Sequence, residues 1–411
     1  MKEKSQEKFF KLGGFFRKYN CNKRMNLNQY TGKERVLLAF QHKEGDRVPI
    51  YEQSIASDVA SKILGKEVYT GGTSLHYEEA KAWMSGEEAH KEFEEKLWEG
   101  LISISEYFEF DAIRIPWRMK EKPTEQLDRY TFLYGDKDKG RWCIYRYDPV
   151  SKMFAVLDSW ENHLQVEDIP GIVKEMEETF SRRSPLTEED FSDEKRLLDT
   201  FGEKLCVLGR GGIGIPYTPA WLEATLIYPE VVGRYLDMVM ANTMEAIKIQ
   251  AKMGIKVIWG GGDMASKNGP FYSPKTFREL MLPRLKKITE LCNKLGVYYL
   301  FRSDGNLWPV AKELFVESGI HGYGEIEGDA GMDLERLKRE YGHLTFWGNV
   351  SCDLLRRGSK KEVIEETKRC IDVAARGGGY ILGSSNSILP GTPAENVIAM
   401  FETAKEYGRY S

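Results

Sequence analysis

The sequence repeats one unit: a short apolar run, then polar or charged residues, then a segment with helical spacing. A continuous apolar run that ends at a turn signal is typical of a parallel strand covered on both faces. Eight such units with right-handed crossovers predict an α/β fold, a (β/α)8 TIM barrel. The eight runs are VPIYE (48–52), DAIRIP (111–116), LCVLGRG (205–211), VIWGGGD (257–263), YYLFRSD (298–304), GYGEIE (322–327), LTFWGNV (344–350) and YILGSSN (380–386).

Two stretches interrupt the repeat. Residues 127–160 alternate between apolar and polar positions around two turn signals, which predicts an inserted β-hairpin or three-stranded ribbon that covers one end of the barrel. Residues 163–200 are acidic and helical in pattern, and they are too short and polar to hold a core of their own. We therefore expect a single barrel domain over residues 30–411 that carries both insertions.

A basic extension precedes the barrel, over residues 1–29. Its first 24 residues hold eight lysines and arginines against two glutamates, together with two Phe-Phe pairs. A basic amphipathic segment is suited to a membrane surface or a partner. A terminal extension with no fixed structure is the simpler interpretation.

Charge and composition narrow the class of partner. Lysine and arginine total 59 against 63 acidic residues, a net charge of -4, so the chain has no overall basic field for nucleic acid or anionic lipid. No stretch approaches the roughly 20 apolar residues of a membrane helix, and no signal-peptide pattern is found. The six cysteines are scattered singly, which is typical of reduced thiols. We expect a cytoplasmic protein with a small-molecule substrate, and neither nucleic acid nor membrane as a partner.

The strand exits predict the active site, because barrels of this kind build it where the strands end. Charged residues concentrate there, and an unpaired charge beside an apolar run is costly, so we expect these side chains to contact one another or a ligand. The expected catalytic residues are Asp263, Asp304 and Glu325, and the expected substrate-binding residues are Glu52, Arg118, Arg210, Arg302, Asn306, Asn349 and Asn386.

Longer motifs extend across these units: GDRVPIYE, GGGDMASKNGPFYSPKTFRELMLPRLKKITELCNKLG, SDGNLWPVAKELFVESGIHGYGEIE, AGMDLERLKREYG, TFWGNV and GGGYILGSSNSILPGTPAENVIAMFETAKEYG. Through them the chain resembles the uroporphyrinogen decarboxylase superfamily of (β/α)8 barrels over roughly residues 30–410. The resemblance is to its methyltransferase branch more than to true uroporphyrinogen decarboxylases. It implies an enzyme that often forms homodimers.

The resemblance to the decarboxylases departs at two places. Those enzymes have an arginine-rich loop after the first strand, whereas this chain reads YEQSIASDVASK. They also have an aspartate after the second strand, where this chain has AIRIPWRMK, with Arg114 and Arg118 and no carboxylate. A tetrapyrrole with many carboxylates needs such a positive rim, so this resemblance does not favour that substrate.

The zinc-dependent methyltransferases of the superfamily hold zinc through a His-x-Cys after the fifth strand and a cysteine after the eighth. The matching residues here are Arg302, Asp304 and Asn386. Arginine does not ligate metals and amides are poor zinc ligands, so the usual zinc ligands are absent. We expect a metal-independent pocket in which Arg302 neutralises Asp304 or holds an anionic substrate group. The alternative is a metal site rich in carboxylates, which would draw on Asp263 and on four further residues: Glu52, Asp304, Glu325 and Cys352.

The resemblance favours methyl transfer from a small methylated donor to a corrinoid carried by a partner protein. In this hypothesis Asp304 or Glu325 protonates the leaving heteroatom. One alternative is a decarboxylase in which Arg118, Arg210 and Arg302 hold carboxylates. Another is a barrel without catalytic activity that binds a tetrapyrrole or corrinoid.

Overall fold

A curled, seven-stranded parallel sheet forms the centre of the structure, a computed structural model that describes residues 29–411. Every strand coincides with one of the predicted apolar runs, from the second to the eighth, so the predicted α/β class is confirmed. Neighbouring strands all pair in parallel. In order across the sheet they are Ala112–Ile113, Cys206–Gly212, Val257–Gly261, Tyr298–Arg302, Gly322–Gly324, Thr345–Trp347 and Tyr380–Ile381.

The first predicted run, residues 48–52, joins this sheet through single backbone contacts and not as a regular strand. The amide of Leu382 donates to the carbonyl of Pro49 at 2.9 Å, and the amide of Asp111 donates to the carbonyl of Ile50 at 2.9 Å. The segment therefore lies between the last strand of the sheet and the first.

Asp111 fixes this segment with its side chain. Its carboxylate accepts hydrogen bonds from Arg47 Nη1 at 2.6 Å, from Arg35 Nη1 at 2.9 Å and from the backbone amide of Ile50 at 2.7 Å. Asp111 and both arginines are buried. Two guanidinium groups and an amide compensate the buried carboxylate, which makes the contact specific as well as strong.

Helices surround the sheet and bury its outer face. One continuous hydrophobic cluster joins strands and helices from Val36 to Ala404. None of the helices within residues 29–411 is long and apolar enough to cross a membrane. The α-helices are Gly32–Phe40, Ser57–Leu64, Thr73–Ser85, Glu87–Phe108, Ile169–Arg182, Ser192–Phe201, Pro219–Ile227, Pro229–Met253, Pro274–Thr276, Leu282–Leu295, Leu334–Tyr341, Cys352–Arg357, Lys360–Ala374 and Ala394–Tyr407, with π-helical turns at Phe277–Met281 and Glu313–Glu317.

A second sheet occupies the region where residues 127–160 predict a hairpin or three-stranded ribbon. It is antiparallel and has four strands, one more than the sequence pattern suggests. Tyr77 of helix Thr73–Ser85 stacks on Tyr147 of this sheet with ring centroids 4.0 Å apart. The strands are Glu125–Asp128, Thr131–Asp136, Arg141–Asp148 and Met153–Ser159.

The predicted helical insertion at residues 163–200 contains two α-helices, Ile169–Arg182 and Ser192–Phe201. Short 3-10 turns precede each of them. The basic extension predicted for residues 1–29 lies outside the described residues, apart from Gln29.

Candidate active site

A cleft of ≈ 500 Å³ lies at the carboxyl ends of the parallel strands. Loops that follow strands far apart in sequence meet at this end of a barrel, so their side chains share one space. Five of the predicted site residues line the cleft: Asp263, Arg302, Asp304, Glu325 and Asn386.

Arg302 lies between two carboxylates. Its Nη1 is 3.1 Å from Asp263 Oδ1 and 3.2 Å from Glu325 Oε2. Burial alone lowers the pKa of this guanidinium, but the charges of Glu325 and Asp263 more than offset that effect and raise the pKa above its usual value. Arg302 therefore balances one of the two negative charges of this carboxylate pair, and its ion pairs are with Asp263 and Glu325 and not with Asp304.

The backbone around this ion pair is unusual at two positions. Gly261 has φ +83°, and a Cβ there would lie 2.3 Å from the carbonyl oxygen of Arg302, so only glycine fits. Glu325 has φ +63°, a left-handed conformation that is uncommon for residues other than glycine. Such strain is typical of functional sites, and here the buried side chain of Glu325 is held by Arg302.

Asp304 is bound by an amide and not by a cation. Asn386 Nδ2 donates a hydrogen bond of 2.9 Å to Asp304 Oδ2. Burial raises the pKa of Asp304 to about 6, and the negative charges of Asp263, Glu325 and Glu327 add to the rise, while Arg302 opposes it. Asp304 thus titrates close to neutral pH, which suits a group that gives or takes a proton during a reaction.

Glu52 lies beside the cleft, in a narrow pocket that it shares with Arg114. Its carboxylate accepts hydrogen bonds from the amides of Ser384 at 3.0 Å and Gln53 at 3.1 Å. Burial nevertheless raises the pKa of Glu52 to about 8, although these hydrogen bonds lower it. Ser384 in turn donates from its hydroxyl to the carbonyl of Asn386, so Glu52 supports the loop that carries the partner of Asp304.

Cys352 lines a second pocket of ≈ 450 Å³, and Asn386 is shared between this pocket and the cleft. Its Sγ donates to the carbonyl of Ser387 at 3.5 Å. Burial raises the pKa of the Cys352 thiol to about 11, so the thiol is protonated at neutral pH.

Two predicted arginines are not in the cleft. Arg118 is buried beside helix residues, with Nη2 2.6 Å from Glu79 and 2.8 Å from Glu94. Arg210 points to the outer face of its strand, where Nε is 2.9 Å from Glu194. Both guanidinium groups are occupied by acids of the scaffold, and the structure brings neither residue to the cleft.

Two predicted asparagines stabilise local backbone. Asn306 Oδ1 accepts a hydrogen bond from the amide of Trp308 at 3.1 Å, which fixes the turn after the strand. Asn349 is buried, has φ +101°, and donates from Nδ2 to the carbonyl of Ile326 at 3.3 Å. Neither residue lines the cleft.

The cleft also contains residues that the sequence analysis did not select. Arg114 lines it, with its guanidinium 5.6 Å from the ring centroid of Trp259. His76 contributes from a helix, and its Nε2 is 3.0 Å from the carbonyl oxygen of Trp117. Tyr217 lies in the loop before helix Pro219–Ile227. Arg114 could have been selected from the sequence, because it is an arginine inside the apolar run DAIRIP.

Residues 211–407, which include every cleft residue from the third to the last strand, match the family model described as uroporphyrinogen decarboxylase (URO-D). The matched stretch is just under half of the chain, and over it the chain is similar to the uroporphyrinogen decarboxylase family. The predicted resemblance is thus confirmed.

Curated relatives in the superfamily match parts of the chain. The uroporphyrinogen decarboxylase of Anaeromyxobacter sp. (strain Fw109-5) is 27% identical over 132 residues, which cover 31% of this chain and 36% of that protein. The enzyme of Synechococcus sp. (strain CC9605) is 26% identical over 234 residues, or 51% of this chain and 61% of that protein. The chain thus spans less than two thirds of the length of these curated relatives.

A solved structure resembles the whole fold. A methyltransferase from Methanosarcina mazei superposes with a TM-score of 0.62 over 92% of this chain and 99% of that one, at 18% sequence identity. At this low identity the likeness shows a shared fold and nothing more. The shared fold covers almost all of both chains.

The donor groups in the cleft do not fit the zinc site of the superfamily. Arg302 is engaged by two carboxylates, and Asn386 donates to Asp304. Across residues 29–411, no group of three or more histidine, cysteine, aspartate or glutamate side chains is placed to hold a metal ion. The alternative ligand set of Glu52, Asp304, Glu325 and Cys352 is divided among the cleft and two neighbouring pockets.

Proposed function

We propose that the chain is a methyltransferase that takes a methyl group from a small donor and passes it to a corrinoid carried by a partner protein. The observation that carries the proposal is Asp304, an acid with a pKa of about 6 in a cleft at the strand ends. Likeness to the Methanosarcina mazei methyltransferase over nearly the whole fold supports it. The proposal includes a cytoplasmic location.

Asp304 would act on the leaving group of the donor. As the bond between the methyl carbon and its heteroatom breaks, the proton of Asp304 moves to the heteroatom, which leaves in its neutral form. About a tenth of Asp304 is protonated at pH 7 if its pKa is about 6. A corrinoid, when bound, supplies the cobalt that accepts the methyl group.

The remaining charged residues keep the cleft rigid around Asp304. Arg302 is fixed by Asp263 and Glu325, so its positive charge has one defined position in the wall. Asn386 fixes one oxygen of Asp304. Groups that are already oriented need no reorganisation during the reaction, which is the main physical source of catalysis in such sites.

The test uses free cob(I)alamin as acceptor and a panel of methoxylated aromatics, methylamines and methyl thioethers as donors. A change in the cobalamin absorption spectrum that requires both the protein and one donor supports the proposal. Tight cobalamin binding without turnover of any donor, unaltered in Asp304→Asn, would instead support a corrinoid-binding protein without catalytic activity.

Decarboxylation is the second candidate, because Arg114 offers a guanidinium to a substrate carboxylate. Among the described residues, two arginines line the cleft, and Arg302 is already paired, so this candidate favours a small acid over a tetrapyrrole with many carboxylates. Release of labelled carbon dioxide from a carboxyl-labelled acid in the absence of corrinoid separates it from methyl transfer.

A further inference from the structure

Arg114 differs from the other arginines at this end of the barrel in having no acidic partner. Arg302 and Arg118 each contact two carboxylates. Within the part of the chain that the structure describes, the Arg114 guanidinium has neither an ion pair nor a hydrogen bond, and its neighbour is the ring of Trp259 at 5.6 Å. Its donors are therefore available to a molecule in the cleft.

The surroundings of Arg114 make its positive charge costly. Burial lowers the pKa of Arg114 and the positive charge of Arg302 adds to this effect, while Tyr51 and the more distant carboxylates of Glu325 and Glu194 oppose it without reversing it. Arginine keeps its charge at any physiological pH, so the cost cannot be relieved by deprotonation. An anion in the cleft would relieve it, because a carboxylate can accept two parallel hydrogen bonds from one guanidinium.

The rim of the same cleft is apolar and aromatic. Trp117 and Tyr217 line it, and they are 65% and 59% exposed. Trp117 and His76 pack with their rings nearly perpendicular, and Tyr217 stacks on Phe271 at 5.4 Å between ring centroids. Both aromatic rings are thus held in place while a large part of their surface stays open, which suits contact with an apolar or aromatic molecule.

We propose that the cleft takes an organic anion, whose carboxylate pairs with Arg114 and whose apolar body contacts Trp117 and Tyr217. This inference rests on the proposed function, since it names the class of methylated donor: one that carries a carboxylate. The three arginines that the decarboxylase alternative would use, Arg118, Arg210 and Arg302, are all occupied by acids of the protein.

Direct binding tests the inference without corrinoid or turnover. The probes are benzoate and benzamide, which share shape and aromatic body and differ in charge. We expect the unaltered protein to bind benzoate at least tenfold more tightly than benzamide in a ligand-observed NMR titration. Arg114→Gln should remove this preference and leave benzamide binding unchanged, and Arg114→Lys should retain part of it because the charge remains.

Arg196→Gln is the matched control, since Arg196 also lies over a tryptophan, Trp98 at 3.9 Å, but outside the cleft. This variant should keep the full preference for benzoate. Equal binding of the two probes to the unaltered protein overturns the inference and requires no variant to fold. Unchanged benzoate affinity in Arg114→Gln also overturns it.

The outcomes separate this inference from the proposed function. Selective benzoate binding that depends on Arg114, with no cobalamin-dependent turnover of any donor, upholds the anion site and counts against methyl transfer. Cobalamin-dependent turnover of a carboxylate-bearing donor that is equally fast in Arg114→Gln overturns the anion site and leaves methyl transfer standing.

Discussion

The side-chain amide of Asn386 donates a hydrogen bond to Asp304 Oδ2. This contact joins the loop after the last strand to the loop after Tyr298–Arg302. An oxygen that accepts an N–H bond can do so in both protonation states of the acid. Oδ1 has no partner among residues 29–411, so it is the atom that can carry the proton.

Replacing Asp304 by asparagine should lower the rate of methyl transfer by about 10²- to 10⁴-fold, the usual contribution of a general acid. In the unaltered enzyme the rate should fall as the pH rises above about 6, because the protonated form of Asp304 disappears. The variant should lack this dependence. A pH–rate profile measures both effects, and Asp136→Asn, on the exposed side of the antiparallel sheet, is the control that should behave as the unaltered enzyme.

The same substitution should stabilise the folded protein at pH 8. The pKa of Asp304 is raised by folding, so its contribution to stability is present below pH 4 and is lost as the pH rises through about 6. Asparagine does not ionise and avoids this loss, a gain of about 1–2 kcal/mol after allowance for partial exposure. Urea unfolding at pH 5 and pH 8 measures it, and an equal gain at both pH values would contradict the assignment.

Arg302→Gln should destabilise the protein by about 2–4 kcal/mol, because it leaves the buried carboxylate of Glu325 without its partner. The double variant Arg302→Gln/Glu325→Gln should recover much of the loss. Arg357→Gln breaks an exposed pair with Asp353 and should cost less than about 1 kcal/mol. If urea unfolding gives the same loss for Arg302→Gln and Arg357→Gln, the ion pair in the cleft is not structural.

Protein purified without chelators should contain far less than one zinc per chain. The reason is that Arg302 and Asn386 occupy positions where a zinc site needs ligands, and both are engaged with carboxylates. Elemental analysis measures the content. Near-stoichiometric zinc that is lost in Asp304→Ala would show that the carboxylates of the cleft do bind metal.

The strands were predictable because a strand that is buried on both faces has a continuous run of apolar residues. The run LCVLGRG became the strand Cys206–Gly212 almost residue for residue. Which way Arg210 points was not predictable, since a strand covered on both faces has apolar residues on both and gives no sign of which face is inside. In the structure Arg210 faces Glu194 of an outer helix.

The site was predictable only in part because the paths of loops depend on tertiary contacts. Asp263, Arg302 and Asp304 follow their strands directly and reach the cleft. Arg118 lies several residues beyond its strand, in a loop that turns to Glu79. Tyr217 carries no local pattern that would distinguish it from other loop residues.

The placement of residues 48–52 has a consequence for how the chain folds. Ile50 pairs with Leu382, so residues near opposite ends of the described chain meet in one ladder. During synthesis the early segment must wait until the last strand has left the ribosome before it can pair. Contacts between distant residues also slow the search for the native state, because a long loop must close before they form. The buried network of Asp111, Arg35 and Arg47 lies wholly within the first part of the described chain, so we expect it to fix residues 48–52 beside the first strand before the last strand can pair with them.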